Sequence, residues 1–146
     1  MTTIKPTFEF DEQTAKRFLD NRGSAGGLHT FLGIRISDVG PGTMTGEIEV
    51  RPELMTPIGN MHGGVLSAFC DHMLGCVCYP VMKKGQWAAT TEFKINLTAP
   101  VTQGKVVARA EIVSLTRTQA VVRIDVENEG RLAAMAQGTV TIRDPR

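Results

Sequence analysis

Residues 59–75, GNMHGGVLSAFCDHMLG, hold the side chains and backbone groups best suited to act on a small molecule. Gly63 and Gly64 follow His62 at the head of an apolar run, and the carboxylate of Asp71 interrupts its middle. If the run is helical, the N–H groups of its first turn lack intrahelical acceptors. With the positive end of the helix dipole they form a ready seat for an oxyanion or a polarised carbonyl oxygen. Two glycines leave those groups unobstructed, although glycine there also serves a turn or close packing with no chemistry at all. Asp71 tips the balance. A carboxylate on an apolar helix is costly unless it is paired, hydrogen-bonded or open to a cavity, and no Lys or Arg stands three or four residues from it.

Helix geometry adds a restriction. Eight residues separate Gly63 from Asp71, which at ~1.5 Å of rise per residue is roughly 12 Å along the axis. One substrate carbonyl does not reach both. For the two to cooperate, the donor and the acid must come from two antiparallel copies of the helix related by a two-fold axis. An obligate dimer with composite sites is the expectation.

The elements that would position these groups follow from periodicity. Residues 11–21 form a short helix with Asp11 as N-cap, ended by the glycine-rich GSAGG. HTFLGIRISDVGPGTMTGEIEV reads as strand, Gly-Pro-Gly turn at 40–42 and second strand, with Met44, Gly46, Ile48 and Val50 on one face. The apolar stretch from Val65 to Met82 is a buried core helix rather than a membrane span, because Asp71, His72 and Pro80 interrupt it. Its apolar stripe is Val65, Phe69, His72, Met73, Cys76 and Val77, beside a small or polar stripe of Gly64, Ser67, Asp71, Gly75 and Cys78. In the next strand Thr91, Phe93, Ile95 and Leu97 share one side and Thr90, Glu92, Lys94, Asn96 and Thr98 the other. Three more one-sided strands cover 104–114, 119–127 and 131–142, the last with Leu132, Ala134, Ala136, Gly138, Val140 and Ile142 inward. One long apolar helix among such strands implies an α+β arrangement, a helix buried against an antiparallel sheet, in one domain spanning residues 1–146.

Composition excludes other classes. A formal charge of +1 offers no footprint for nucleic acid or acidic lipid. No secretion signal opens the chain, so the cytoplasm is the default compartment. Cys70, Cys76 and Cys78 form neither a disulfide framework nor a zinc spacing, and are expected as buried free thiols. His29, His62 and His72 make no metal-ligand pattern with acids, so no metal is expected, and His72 reads as a packed helix residue.

HGGVLSAFCDHMLG together with TTEFKINLTAPVTQGKVVARAEIVSLTRTQAVVRIDVENEGRLAAMAQGTVTI resembles the hotdog-fold acyl-CoA thioesterases of the PaaI-like, phenylacetate-degradation group and their 4-hydroxybenzoyl-CoA thioesterase relatives. The resemblance runs from Met55 to Ile142. It implies a long helix wrapped by a curved antiparallel sheet, paired into homodimers and commonly into dimers of dimers. By the same resemblance the Gly63 N–H polarises a thioester carbonyl, with Gly64 and Asn60 beside it. Asp71 of the other subunit acts as general base or nucleophile, His62 caps the helix or orients the thioester, and Thr90 helps hold the attacking water. Many relatives have an Asn six residues before the motif histidine. This chain has Thr56 there, with Asn60 the nearer substitute.

The implied substrate is an aryl- or medium- to long-chain acyl-CoA, with coenzyme A entering only as part of it and no cofactor required. Its phosphates need basic or N–H donors at a site edge, for which Arg117 and Thr118 in the LTRTQ turn are the candidates. Lys94, Arg109 and Arg123 read as solvated-face charges. The acyl wall is expected from Met55, Ile58 and Phe69, with Leu74 and Met82 as further candidates; Trp87 is either a wall or a surface aromatic. Two other classes use related material. Acyl-thioester dehydratases and hydratases carry a different His-plus-acid pattern, and an acyl-CoA sensor would bring a DNA-binding segment that the short neutral N-terminus does not supply.

Overall fold

A computed structural model describes residues 7–21 and 26–145. Helix α1, Glu12–Leu19, begins where Asp11 accepts hydrogen bonds from the N–H groups of Gln13 (2.9 Å) and Thr14 (3.3 Å), the expected cap. It stops two residues short of the predicted end, and residues 22–25 of the glycine-rich loop lie outside the described residues. Asn21 then tethers the chain to the sheet: its side chain both accepts from the Ile36 N–H and donates to the Ile36 carbonyl.

Leu28–Leu32, read from sequence as the opening of a strand, is a short helix, α2. Gly33, in the left-handed region at φ 72°, turns its backbone N–H back onto the carbonyls of His29 and Thr30. Strand β1 therefore starts only at Arg35 and runs to Gly40, pairing antiparallel with β2, Thr43–Glu49. A 3-10 turn at Pro52–Leu54 leads to α3, Gly63–Cys76. The helix ends well before Met82 because the Val77–Val81 stretch tightens into turns and a second 3-10 segment containing Pro80. Four long strands follow: β3 Trp87–Leu97, β4 Lys105–Leu115, β5 Gln119–Asn128 and β6 Arg131–Arg143. They form one antiparallel sheet in the order β1-β2-β4-β5-β6-β3.

The sheet curves around α3. Leu66, Phe69, Cys70, Met73, Leu74 and Val77 of the helix region meet Met44, Ile48, Val106, Ala108, Ala110, Ile112, Ala120, Val122, Ile124, Val126, Ala136 and Val140 in one core. Each large side chain such as Phe69 or Leu74 contributes about 1.5–3 kcal/mol by leaving water. The buried stripe is thus rotated from the one predicted: Val65 and His72 are only half-buried, while Leu66, Cys70 and Leu74 take the centre. Cys78, which shares the small or polar stripe, is fully buried, as expected of the three thiols. Small residues on the strands let the helix approach closely. A Cβ on Gly46 would stand 2.6 Å from Met73 Sδ, and one on Gly138 would stand 2.7 Å from the Glu92 carbonyl oxygen and 3.1 Å from Leu74 Cδ1. The stretch Gly63–Val81 is long and apolar enough to cross a bilayer (mean hydropathy 1.3), yet half of it is buried inside this fold, as a core helix is.

Two bulges alter the predicted alternation. Thr90 pairs with Val140 and Glu92 with Thr139, so Thr91 is the extra residue on β3. The phase slips there, and Thr90 comes onto the helix-facing side with Phe93 and Ile95 instead of joining Glu92 and Lys94 outside. On β6, Val126 pairs with Ala134 and Glu127 with Leu132. Ala133 is the extra, buried residue, and Leu132 turns out to solvent at 44% exposure. Arg109 and Arg123 lie on the outer face in ion pairs with Glu127 (2.6 Å) and Glu111 (2.9 Å), as solvated-face charges should.

Candidate active site

The start of α3 is built by its own first residues. His62, at φ −63° and ψ 132°, is the N-cap; its Nδ1 accepts from the Gly64 N–H at 2.8 Å, and its own N–H donates to the Leu54 carbonyl at 2.9 Å. Accepting at Nδ1 places the proton of a neutral ring on Nε2. The Val65 and Leu66 N–H groups both turn to the His62 carbonyl, at 2.9 and 3.4 Å. Among the first-turn donors only the Gly63 N–H has no acceptor among the described residues. His62 therefore does not compete for it: the ring holds the neighbouring donor and leaves this one at the positive end of the helix dipole.

That donor belongs to the wall of a groove of about 280 Å³ lined by Asn60, Met61, Gly63, Leu66, Leu97, Thr98, Ala99, Pro100 and Val101. The groove exists because the segment before α3 and the segment after β3 are tied together by the Met61 N–H, which donates to the Val101 carbonyl at 2.7 Å. Apolar side chains of Met61, Leu66, Leu97, Pro100 and Val101 line it together with the polar Asn60 and Thr98, and it opens to solvent. Thr56 and Asn60 form one unit: the Thr56 hydroxyl donates to Asn60 Oδ1 at 3.1 Å, and Asn60 Nδ2 donates to the Met61 carbonyl at 3.2 Å. Thr56 thus holds Asn60, and Asn60 is the member that reaches the groove.

The remaining residues named from sequence distribute as follows. Asp71 is exposed on the side of α3 away from the sheet and, among the described residues, makes no ion pair or hydrogen bond. Exposure removes the burial cost that drew attention to it, while its separation from Gly63 within one protomer stays that of the helix rise. Thr90 is half-buried on the helix side of β3. Met55 is bridged to Met61 beside the groove, whereas Ile58 is 88% exposed at the tip of the 56–60 turn. Phe69 is completely buried in the core against Gly46 and lines no surface, a correction to its expected place in the acyl wall; Leu74 is likewise core. Arg117 and Thr118 occupy the β4–β5 turn, and Arg117 borders a different cleft with Phe8, Val81, Met82 and Leu115. One protomer does not bring them to Gly63. Trp87 opens β3 as a partly exposed aromatic.

Met61, Leu66, Leu97, Thr98, Ala99, Pro100 and Val101 are the groove residues that sequence reasoning missed. The alternation placed Leu97 on the correct face, but the long-range Met61–Val101 bond that brings the LTAPV segment beside Gly63 has no local signature. His72 is packed, as expected, with its ring stacked on His29 of α2 (centroids 5.4 Å, planes 6° apart) and Nε2 3.3 Å from Cys76 Sγ. Burial, reinforced by His29, lowers its pKa, with Asp71 pulling the other way. The three cysteines are buried free thiols, and burial pushes each up to about 12. Among the described residues no cluster of His, Cys, Asp and Glu is arranged to hold a metal ion.

A long helix wrapped by a six-stranded antiparallel sheet, with an open glycine N–H at the helix head, is the hotdog architecture of thioester-cleaving enzymes. The family model for the thioesterase superfamily matches residues 58–134, and the chain belongs to that family of thioester hydrolases. A thioesterase of Haemophilus influenzae superposes with a TM-score of 0.81 at 25% identity, covering 98% of this chain and 96% of that one. A variant of the phenylacetic acid degradation protein PaaI of Thermus thermophilus superposes with a TM-score of 0.71 at 30% identity, over 77% of this chain and 96% of the other. The 1,4-dihydroxy-2-naphthoyl-CoA hydrolase of Listeria monocytogenes is 25% identical over 121 residues, 82% of this chain and 98% of its own.

Proposed function

We propose that the protein hydrolyses an aryl- or medium- to long-chain acyl-CoA to the free acid and coenzyme A. The Gly63 N–H, without an acceptor among the described residues and set in a groove that joins apolar side chains to Asn60 and Thr98, carries this reading. The carbonyl oxygen of the thioester accepts from Gly63, and negative charge developing there is stabilised by a donor that needs no rearrangement. Asp71 of a second subunit takes the proton of a water that attacks the carbonyl carbon, the C–S bond breaks, and that proton passes to the leaving thiolate of coenzyme A; in the covalent route Asp71 attacks the carbon itself and expels the thiolate, and water then hydrolyses the mixed anhydride, releasing the acid and supplying the thiolate's proton. No step calls on a metal or resident cofactor. Asn60, held by Thr56 at the groove, orients the water or the carbonyl in this reading. The named activity of the Listeria relative on an aryl-CoA supports the aryl branch of the substrate class.

Two features support the homodimer this requires. Strand β3 is an 11-residue edge with Leu97 and Trp87 exposed, an edge that proteins seldom leave bare. Antiparallel pairing of β3 with its own copy brings the Thr90 end of one strand toward the Leu97–Gly63 end of the other, so Thr90 and Asp71 both approach the second copy's groove. A dimer of dimers is the proposed larger assembly.

The test is thiol release from a panel of aryl- and fatty-acyl-CoAs by wild type, Asp71→Ala and a Gly63-altered variant. Asp71→Ala should abolish turnover while remaining dimeric. Mixing the two inactive variants should restore activity, since a heterodimer has one site with both groups intact. Turnover by Asp71→Ala at the wild-type rate, or no recovery on subunit exchange, refutes the composite site.

A further inference from the structure

Leu97 stands in a position that neither the family match nor the catalytic reading assigns. It is the last residue of β3, paired with Ala134, on the helix-facing side that Phe93 and Ile95 share. Those two are half-buried, but Leu97, at the end of the strand and beside the head of the helix, is 54% exposed and lines the groove. Its Cδ1 is the nearest atom to any side chain placed on Gly63: a Cβ there would lie 2.6 Å from it. One leucine methyl therefore closes the space directly beside the residue that supplies the free N–H.

We propose that Leu97 is the specificity-determining residue for the acyl carbon next to the thioester carbonyl, admitting flat or unbranched groups and rejecting branching at that carbon. The inference rests on the reading of Gly63 as the carbonyl donor. A carbonyl oxygen about 2.9 Å from the Gly63 nitrogen puts the carbonyl carbon and its first substituent within the reach of a side chain that already touches Gly63. A planar aryl carbon or a methylene slides past the Leu97 methyl edge-on, whereas a tetrahedral carbon bearing two further carbons presents one of them to it. Leu66 and Val101 line the same groove, so the branch meets Leu97 on the side nearest Gly63.

The experiment compares kcat/KM for benzoyl-CoA against cyclohexanecarbonyl-CoA, and octanoyl-CoA against 2-methylheptanoyl-CoA, in wild type, Leu97→Ala and Leu97→Phe. The two pairs differ in branching at one carbon and little in size. Wild type should prefer the flat or linear member. Leu97→Ala should lower that preference at least about tenfold, the scale set by one or two methylene-sized contacts, through a gain on the branched substrate, while Leu97→Phe raises it. A preference that moves less than about twofold with turnover retained overturns the role of Leu97 and leaves the thioesterase reading standing. No thiol release from any of the four overturns both. Thermal melting adds an arm that needs no turnover: Gly63→Ala should lower the melting temperature in wild type and much less in Leu97→Ala, and equal shifts in the two backgrounds overturn the contact.

Discussion

Replacing Gly63 with proline removes one hydrogen-bond donor from the groove and little else. Gly63 is the first residue of α3, the helical position where proline's fixed φ is already suitable and its missing N–H costs the helix nothing. His62, at φ −63° and ψ 132°, is in the extended conformation that a following proline demands. Gly63 N–H has no acceptor among the described residues, so no protein hydrogen bond is lost. The steric obstacle is Leu97, 2.6 Å from an added Cβ, and the comparison is therefore made in a Leu97→Ala background, with Gly63→Ala in that background as the control that gains a Cβ and keeps the N–H. Loss of one preorganised oxyanion donor costs about 3–4 kcal/mol of transition-state stabilisation, or roughly 10²–10³ in kcat. The assay is the steady-state rate of thiol release on the best acyl-CoA, with circular dichroism and gel filtration to show that both variants are folded and equally associated. If their kcat values agree within about threefold, less than about 1 kcal/mol, the Gly63 N–H is not the carbonyl donor.

Gly138→Ala should destabilise the protein by about 2–3 kcal/mol, within the range for overpacking, because its Cβ meets the Glu92 backbone oxygen and Phe93 Cβ at 2.7 and 2.6 Å. Gly46→Ala meets the flexible end of Met73 and should cost nearer 1 kcal/mol; urea unfolding in the opposite order would refute the packing account. The native protein should not react with a disulfide-exchange dye at pH 8, the three thiols titrating only after denaturation, since burial holds their pKa values at about 12; rapid native labelling would contradict this. His72 has its pKa lowered in the folded state, so the unfolded chain takes up a proton that the folded one resists. The stability contributed by the neutral ring is present above the unfolded value of about 6.5 and is lost as pH falls below it. His72→Gln should flatten the fall in melting temperature as pH drops below about 6.5, and an unchanged slope would rule His72 out as its source.

Local patterning carried much of this molecule. Asp11 as a cap, the Met44–Ile48 face, the inward alternation of Val106–Ile112 and Ala120–Val126, and a buried helix from Gly63 all follow from period and capping chemistry, which act within a few residues. The helix rise between Gly63 and Asp71 likewise sets, from sequence alone, the condition that the two can share a substrate only across two copies. Other features depended on contacts distant in the chain. The bulge at Thr91 arises from pairing with β6 and reverses the face of Thr90, because a period of two has no tolerance for one inserted residue. Leu28–Leu32 became a helix through the Gly33 turn and docking of His29 on His72. Phe69 fits a pocket wall and a core equally well by composition, and only the approach of β2 at Gly46 placed it in the core. The groove itself, with Leu97 over Gly63, was decided by the tie between Met61 and Val101, 40 residues apart in sequence, a juxtaposition that no local pattern encodes.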